Sequence, residues 1–264
     1  MNQSTPYPVL PLLGRGLAAG GLAGLVSGLF SLLVAGPLLD RAVRLEEERE
    51  SAAGHGHAHD HLHEELFSRG TQHVGLVVTA VVTGLAIGVF FALVHALIHR
   101  GTALTDRPWP RALALAAAGF FAVSLVPGLR YPANPPGVGE GDTVADRQLL
   151  WLAAIFIGIL GAVLIRHFHH RMTDRPQHLR HLAMAGTAVA TVIAVFLLPG
   201  NPDEVPLPAD LVWDFRVLSL TAHGILWAVL GAAFGRLGLR RDVPPQASAG
   251  REGEQVRTAV RPPV

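Results

Sequence analysis

Six apolar runs divide the chain, extending roughly over Gly16–Leu39, His73–Ile98, Arg111–Leu129, Gln148–Arg166, Leu182–Leu198 and Val217–Gly235. A helix needs about 20 predominantly apolar residues to cross a bilayer core. Each run reaches or nearly reaches that length, the fifth being the shortest. None has a lysine, aspartate or glutamate in its middle. One such run could be a core helix of a soluble protein, but six in one chain argue for the membrane. The pattern predicts an all-α fold, a polytopic integral membrane bundle of about six transmembrane helices within residues 1–239. The segment 240–264 is rich in proline, glycine and charge, and disorder is expected there. Residues 1–11 contain three prolines and no basic residue. That is unlike a cleaved signal peptide, so the first run is expected to stay as a helix.

Within the first run, Gly16, Gly20, Gly24 and Gly28 recur every fourth residue. Each step of four turns about 400° on a helix, so the glycines form one smooth stripe. In lipid such stripes let helix backbones approach closely. The stripe predicts packing against another helix or against a second copy of the chain, which would make a homo-oligomer. Gly84 and Gly88 repeat the spacing in the second run.

Composition agrees with the pattern and adds an orientation. Charged residues make up 16% of the 264, against roughly 25% in soluble domains. A net charge of +1 gives no reason to expect nucleic-acid binding. The absence of cysteine excludes disulfides, thiolate metal sites and cysteine nucleophiles. All the basic residues are arginine, and the side carrying both termini has twice as many as the other. The positive-inside bias predicts cytoplasmic N- and C-termini in the plasma (inner) membrane, with loop 40–72 facing outward.

That loop carries the most distinctive chemistry. In G-H-G-H-A-H-D-H-L-H-E-E, His55, His57, His59, His61 and His63 alternate with other residues, accompanied by Asp60 and Glu64. Imidazole is a common ligand for transition metals and carboxylates can complete a shell, but this composition does not choose among zinc, nickel, cobalt and copper. His73 follows at the start of the second run. Two more loops share that side. One is R-Y-P-A-N-P-P-G-V-G-E-G-D-T, whose prolines fix a shaped connection and which offers Asn134, Glu140 and Asp142. Thr143 is expected to cap the helix that follows it. The other, 200–216, is acidic. On the opposite side His95 and His99 stand four apart on one helical face, as ligand pair or interfacial anchors, and His223 is an imidazole within the last run. Asn134, Glu140, Asp142, His223, His95 and His99 are candidates for a transport path. No nucleotide-binding loop is present, since G-V-G-E-G-D lacks the lysine and strand–helix context, and no organic cofactor is evident. A metal-dependent membrane enzyme would need His95, His99, His167 and His170 to converge on one point.

Several stretches look familiar in order: P-L-L-D-R-A-V-R-L-E-E-E, the histidine tract, E-E-L-F-S-R-G-T-Q-H-V-G, V-P-G-L-R-Y-P-A-N-P-P-G-V-G and D-R-Q-L-L-W. Together, over roughly residues 12 to 238, they resemble the CbtA family, predicted cobalt transporter subunits; residues 131–139 are the most specific part. The resemblance implies cobalt uptake linked to cobalamin synthesis, a divalent ion as substrate, and a small one-helix CbtB partner with its own histidines. The family is often described with five membrane helices, where the pattern here gives six. Nickel or zinc transport, a membrane enzyme and a metal-sensing accessory protein stay open as alternatives. Transport is the reading that unites the outward loops, and no enzyme motif is matched.

Overall fold

The computed structural model describes residues 9–38, 41, 44, 69–99, 107–135, 138, 141–201, 203, 205 and 207–239. Among these there is no strand, and six helices are long and apolar enough to cross a membrane. They are α1 Leu10–Val34, α2 Arg69–Ile98, α3 Pro108–Arg130, α4 Val144–Arg171, α5 Gln177–Phe196 and α6 Ala209–Leu239. The count is six, as the hydropathy pattern gives, and not five. The largest boundary difference is at α6, which begins two turns before the expected Val217. Asp210 lies in its first turn, where a carboxylate suits the positive end of the helix. The histidine tract and the tail 240–264 lie outside the described residues. Below, the terminal end is the end of the bundle where α1 starts and α6 finishes; the opposite end is the far end.

The glycine stripe decides how α1 is placed. A Cβ on Gly16 would overlap the carbonyl of Gly88, one on Gly20 the carbonyl of Gly84, and one on Gly24 the carbonyl of Ala80. Seen from the other helix, Cβ atoms on Gly84 and Gly88 would meet the α1 backbone in turn. The two helices are therefore an antiparallel pair in backbone contact, and the repeated spacing in α2 is the other half of the same joint. This corrects the expectation of a homo-oligomeric contact through the stripe. The stripe is filled by α2 of its own chain and offers no free surface to a second copy.

α6 lies across the other flank of α1. The Ser27 hydroxyl donates to the Ala222 carbonyl at 2.8 Å, satisfying a polar group that lipid could not. The Arg15 side chain donates from Nε to the Phe234 carbonyl, and its guanidinium carbon lies 3.9 Å from the centre of the Phe234 ring. Leu12, Ala19, Phe91, Ala112, Leu230 and Phe234 form a buried cluster there.

α3 runs antiparallel to α6. Small residues again allow the approach, with Gly231 against Ala116 and Gly235 against Trp109. Midway, α3 widens into a π segment over Phe120–Leu125. Pro127 supplies a reason, because its ring would clash with the carbonyl four residues earlier, at Val123, and a wider turn displaces that carbonyl. The Trp227 indole N–H donates to the buried Ser124 hydroxyl at 3.0 Å. The other side of the π segment receives α4, where a Cβ on Gly158 would overlap the Ala122 carbonyl. α5 then packs on α4, with Gly161 facing the Thr191 side chain. Thus α4 and α5 join the rest of the bundle through α3.

The close α1–α2 joint yields a direct expectation. Gly20→Val places a branched side chain where a backbone carbonyl sits, and overpacking of this kind costs about 1–3 kcal/mol or more. The variant should lose most of its folded yield in detergent or melt well below the parent. An exposed control, Leu22→Val, should melt with the parent. Equal melting of Gly20→Val and parent would show that α1 and α2 are not in backbone contact.

Candidate functional site

One face of α6 carries three polar residues, Arg216, Ser219 and His223, between apolar ends. Val212, Arg216, Ser219, His223, Trp227, Leu230 and Phe234 follow one another at steps of four and three, which keeps them on one side of a helix. The stripe is buried at both ends, at Val212, Trp227, Leu230 and Phe234. Arg216 and Ser219 are half-buried, and His223 alone is exposed. The face therefore opens at His223. That residue stands 14 positions into a 31-residue helix, or about 21 Å from its start at 1.5 Å per residue, close to the middle of the helix. Counting from the expected start at Val217 sets it a turn and a half along; the earlier start of α6 moves it to the middle of the helix.

The neighbouring helices explain the opening. α2 follows α1, with Ala80 and Val77 against Gly24 and Gly28, while α3 follows α6. Among the described residues, the ring contacts from α2 to this face lie near the terminal end. There Phe91 meets the Phe234 ring edge-on at 5.0 Å between centroids, and His95 lies 5.1 Å from it.

His95 departs from the expected interfacial anchor. It is 2% exposed, and neither ring nitrogen has a hydrogen-bond partner. Its ring centroid is 4.4 Å from that of His99, whose Nδ1 donates to the His95 carbonyl at 2.9 Å. The pair shares a face as the spacing predicts, but it is packed under Phe234 beside Arg15. Two cationic groups on one ring, guanidinium and metal, repel each other, so this pocket is a poor resting place for a free divalent ion.

At the far end the loop after α3 is tied down. The Arg216 guanidinium donates to Asn134 Oδ1 at 2.8 Å, Arg130 donates to the Leu198 carbonyl at 2.7 Å, and the Tyr131 hydroxyl donates to the Pro199 carbonyl at 2.7 Å. Asn134 thus covers the upper end of the α6 stripe. Asp203 forms an ion pair with Arg147 at 2.7 Å, its side chain 2% exposed, and accepts a hydrogen bond from Thr143 at 2.6 Å. One expectation changes here: the Thr143 hydroxyl makes no helix cap because it is engaged by Asp203, which serves as a buried brace within the acidic loop.

The other candidates scatter. His73 falls in the first turns of α2. Asp142 is exposed in a short 3-10 turn, Gly141–Thr143. Glu140 lies outside the described residues, as do His55, His57, His59, Asp60, His61, His63 and Glu64. Among the described residues no three histidine, aspartate or glutamate side chains come together. The convergence of His95, His99, His167 and His170 required by the enzyme alternative is therefore not found. His167 and His170 are exposed near the end of α4.

A family model described as probable cobalt transporter subunit (CbtA) matches residues 10–238, which span all six helices. The chain belongs to the CbtA family. The family assignment makes it a subunit of a metal transporter, and with six apolar helices a multi-pass membrane protein. Comparison with curated proteins gives no match, and neither does comparison with solved structures.

The sequence singles out His223, Asn134, His95 and His99 in this CbtA chain, and the structure sets Arg216 and Ser219 beside His223 on the α6 stripe. A stripe at steps of four and three through Arg216, Ser219 and His223 was available as a signal, but only once the start of α6 was known.

The buried brace can be tested from both partners. Arg147→Ala leaves a buried carboxylate without its cation, a loss of about 3–5 kcal/mol for buried pairs. Asp203→Ala leaves a guanidinium that reaches water, and should cost clearly less. Thermal unfolding of both variants checks the order; a milder effect of Arg147→Ala than of Asp203→Ala would refute the brace.

Proposed function

We propose that this chain is the subunit through which a divalent metal ion enters the cell, cobalt for cobalamin synthesis, with both termini in the cytoplasm and the far end of the bundle outside. The observation that carries this reading is the single exposed imidazole, His223, at the midpoint of α6 on a stripe closed at both ends. Secondary transporters commonly bind substrate near the bilayer midplane, and an ionisable group at that depth is a functional site by default. The family description supports the metal, and the arginine asymmetry supports the orientation.

In this mechanism the outward tract His55–His63, with Asp60 and Glu64, raises the local metal concentration, and His73, Glu140 and Asp142 lie along the approach. Asn134 and Arg216 close the outer side of His223. Phe91, His95 and Phe234 close the inner side, with His99 beyond them. The ion passes when the two closures open in turn. Inward movement is favoured by the membrane potential, at about 2.3 kcal/mol per charge for 100 mV and nearly twice that for a divalent ion.

Cobalt uptake into vesicles carrying the transporter tests the assignment. His223→Ala should lower the maximal rate at least tenfold. Replacing the five tract histidines with alanine should weaken uptake at low cobalt and spare the rate at saturation. Complete loss at saturating cobalt would make the tract the transport site itself. An unchanged maximal rate in His223→Ala would remove His223 from the path, and preferred uptake of nickel or zinc would change the substrate.

A further inference from the structure

The two ends of the bundle treat their arginines differently. At the far end, guanidinium groups find acceptors within the protein. Arg147 pairs with Asp203 at 2.7 Å, Arg130 donates to the Leu198 carbonyl, and Arg216 donates to Asn134. At the terminal end, the hairpin of α4 and α5 carries Arg166, Arg171, Arg175 and Arg180 against one acid, Asp174. Among the described residues, none of these four has an ion pair or a side-chain hydrogen bond. Arg166, Arg171 and Arg175 are exposed. Arg180 is half-buried, and its buried Nε has no acceptor.

The connection brings these charges together. α4 ends at Arg171 and α5 begins at Gln177, so both helix ends meet at one short turn. The turn is closed by backbone acceptors alone: the Arg175 N–H donates to the Met172 carbonyl at 3.1 Å, and the Thr173 hydroxyl donates to the His170 carbonyl at 2.8 Å. Neither bond uses a guanidinium. Four guanidinium groups less one carboxylate leave an excess of three positive charges on the patch. Like charges held together repel, and an anion relieves them.

The border of the patch indicates what kind of anion. Just inside it, Val163 and Leu164 on α4 and Leu179 and Leu182 on α5 are 39–70% exposed. A free ion has no use for that apolar wall. A molecule with an anionic head and hydrocarbon tails matches both parts. Guanidinium groups suit phosphate oxygens in particular, because their forked N–H groups can donate two parallel bonds.

We propose that the terminal end of the α4–α5 hairpin binds an anionic phospholipid. Its phosphodiester oxygens accept hydrogen bonds from Arg166, Arg171 and Arg175, and its acyl chains lie along Val163, Leu164, Leu179 and Leu182. A headgroup shared by both helices ties their ends together, and α4 and α5 are the pair that reaches the rest of the bundle through α3. The inference needs only that this end lies at a membrane surface. It stands whichever ion the chain carries, and its failure leaves the proposed transport untouched.

The test uses the full chain, purified in detergent and exposed to mixed micelles of phosphatidylglycerol and phosphatidylcholine with identical acyl chains. Native mass spectrometry reads the lipid retained. The parent should retain phosphatidylglycerol in preference, and that preference should fall about fivefold for each arginine removed. Arg166→Gln/Arg171→Gln should therefore lose most of it, and Arg175→Gln, in the turn between the helices, should lose about fivefold alone. Arg44→Gln/Arg236→Gln removes two exposed arginines elsewhere and should keep the parent preference. Inorganic phosphate at constant ionic strength should leave the lipid bound. Equal retention of the two lipids by the parent overturns the site, as does an undiminished preference in Arg175→Gln or an equal loss in the control variant. Displacement of the lipid by inorganic phosphate overturns the lipid and assigns the patch to a soluble phosphate.

Discussion

Backbone contact between α1 and α2 is the constraint on which the rest of the bundle depends. In lipid the apolar side chains of two helices gain little by leaving the surrounding hydrocarbon for each other, so association rests on close packing. Gly16, Gly20 and Gly24 remove the side chains that would keep α2 away, and Gly84 and Gly88 do the same from the opposite side. With α2 held on α1, its ring contacts to α6 lie at Phe234, from Phe91 and His95.

α6 is the second organising element. It touches α1 through Ser27 and Arg15, α3 through a ladder of small residues and through Trp227, and the far-end loop through Arg216. Its stripe changes character along its length, with polar groups in the half toward the far end and Leu230 and Phe234 in the half toward the terminal end. The buried His95 ring, without hydrogen-bond partners, lies against Phe234 at the terminal end, where a polar group so placed is costly to keep.

Much of this architecture was legible in the sequence, for physical reasons that differ by feature. The six spans were legible because crossing a bilayer demands a long apolar run, and no soluble requirement imitates six of them. The α1–α2 joint could be read as far as the repeated glycine spacing, although whether the stripe met its own chain or a second copy needed the structure. The start of α6 was hidden because Asp210, Asp214 and Arg216 interrupt its hydropathy, even though helix continues through them. The engagement of Asp203 and the burial of His95 depend on residues distant in the chain, which no local pattern reports. The π segment in α3 had one local hint, Pro127, too common in membrane helices to be decisive.

α4 carries a consequence of its own. Its 28 residues extend about 42 Å at 1.5 Å per residue, while the hydrocarbon core is about 30 Å thick. Its neighbour α5 has 20 residues, a close match to that thickness. The excess of α4 includes His167, His169, His170 and Arg171, which are exposed and suited to the headgroup layer. A helix longer than the bilayer responds to a thinner membrane by tilting. The tilt of α4 bears on Gly158, whose backbone presses against the π segment of α3. A change in that tilt is carried to α3 through the Gly158–Ala122 backbone contact.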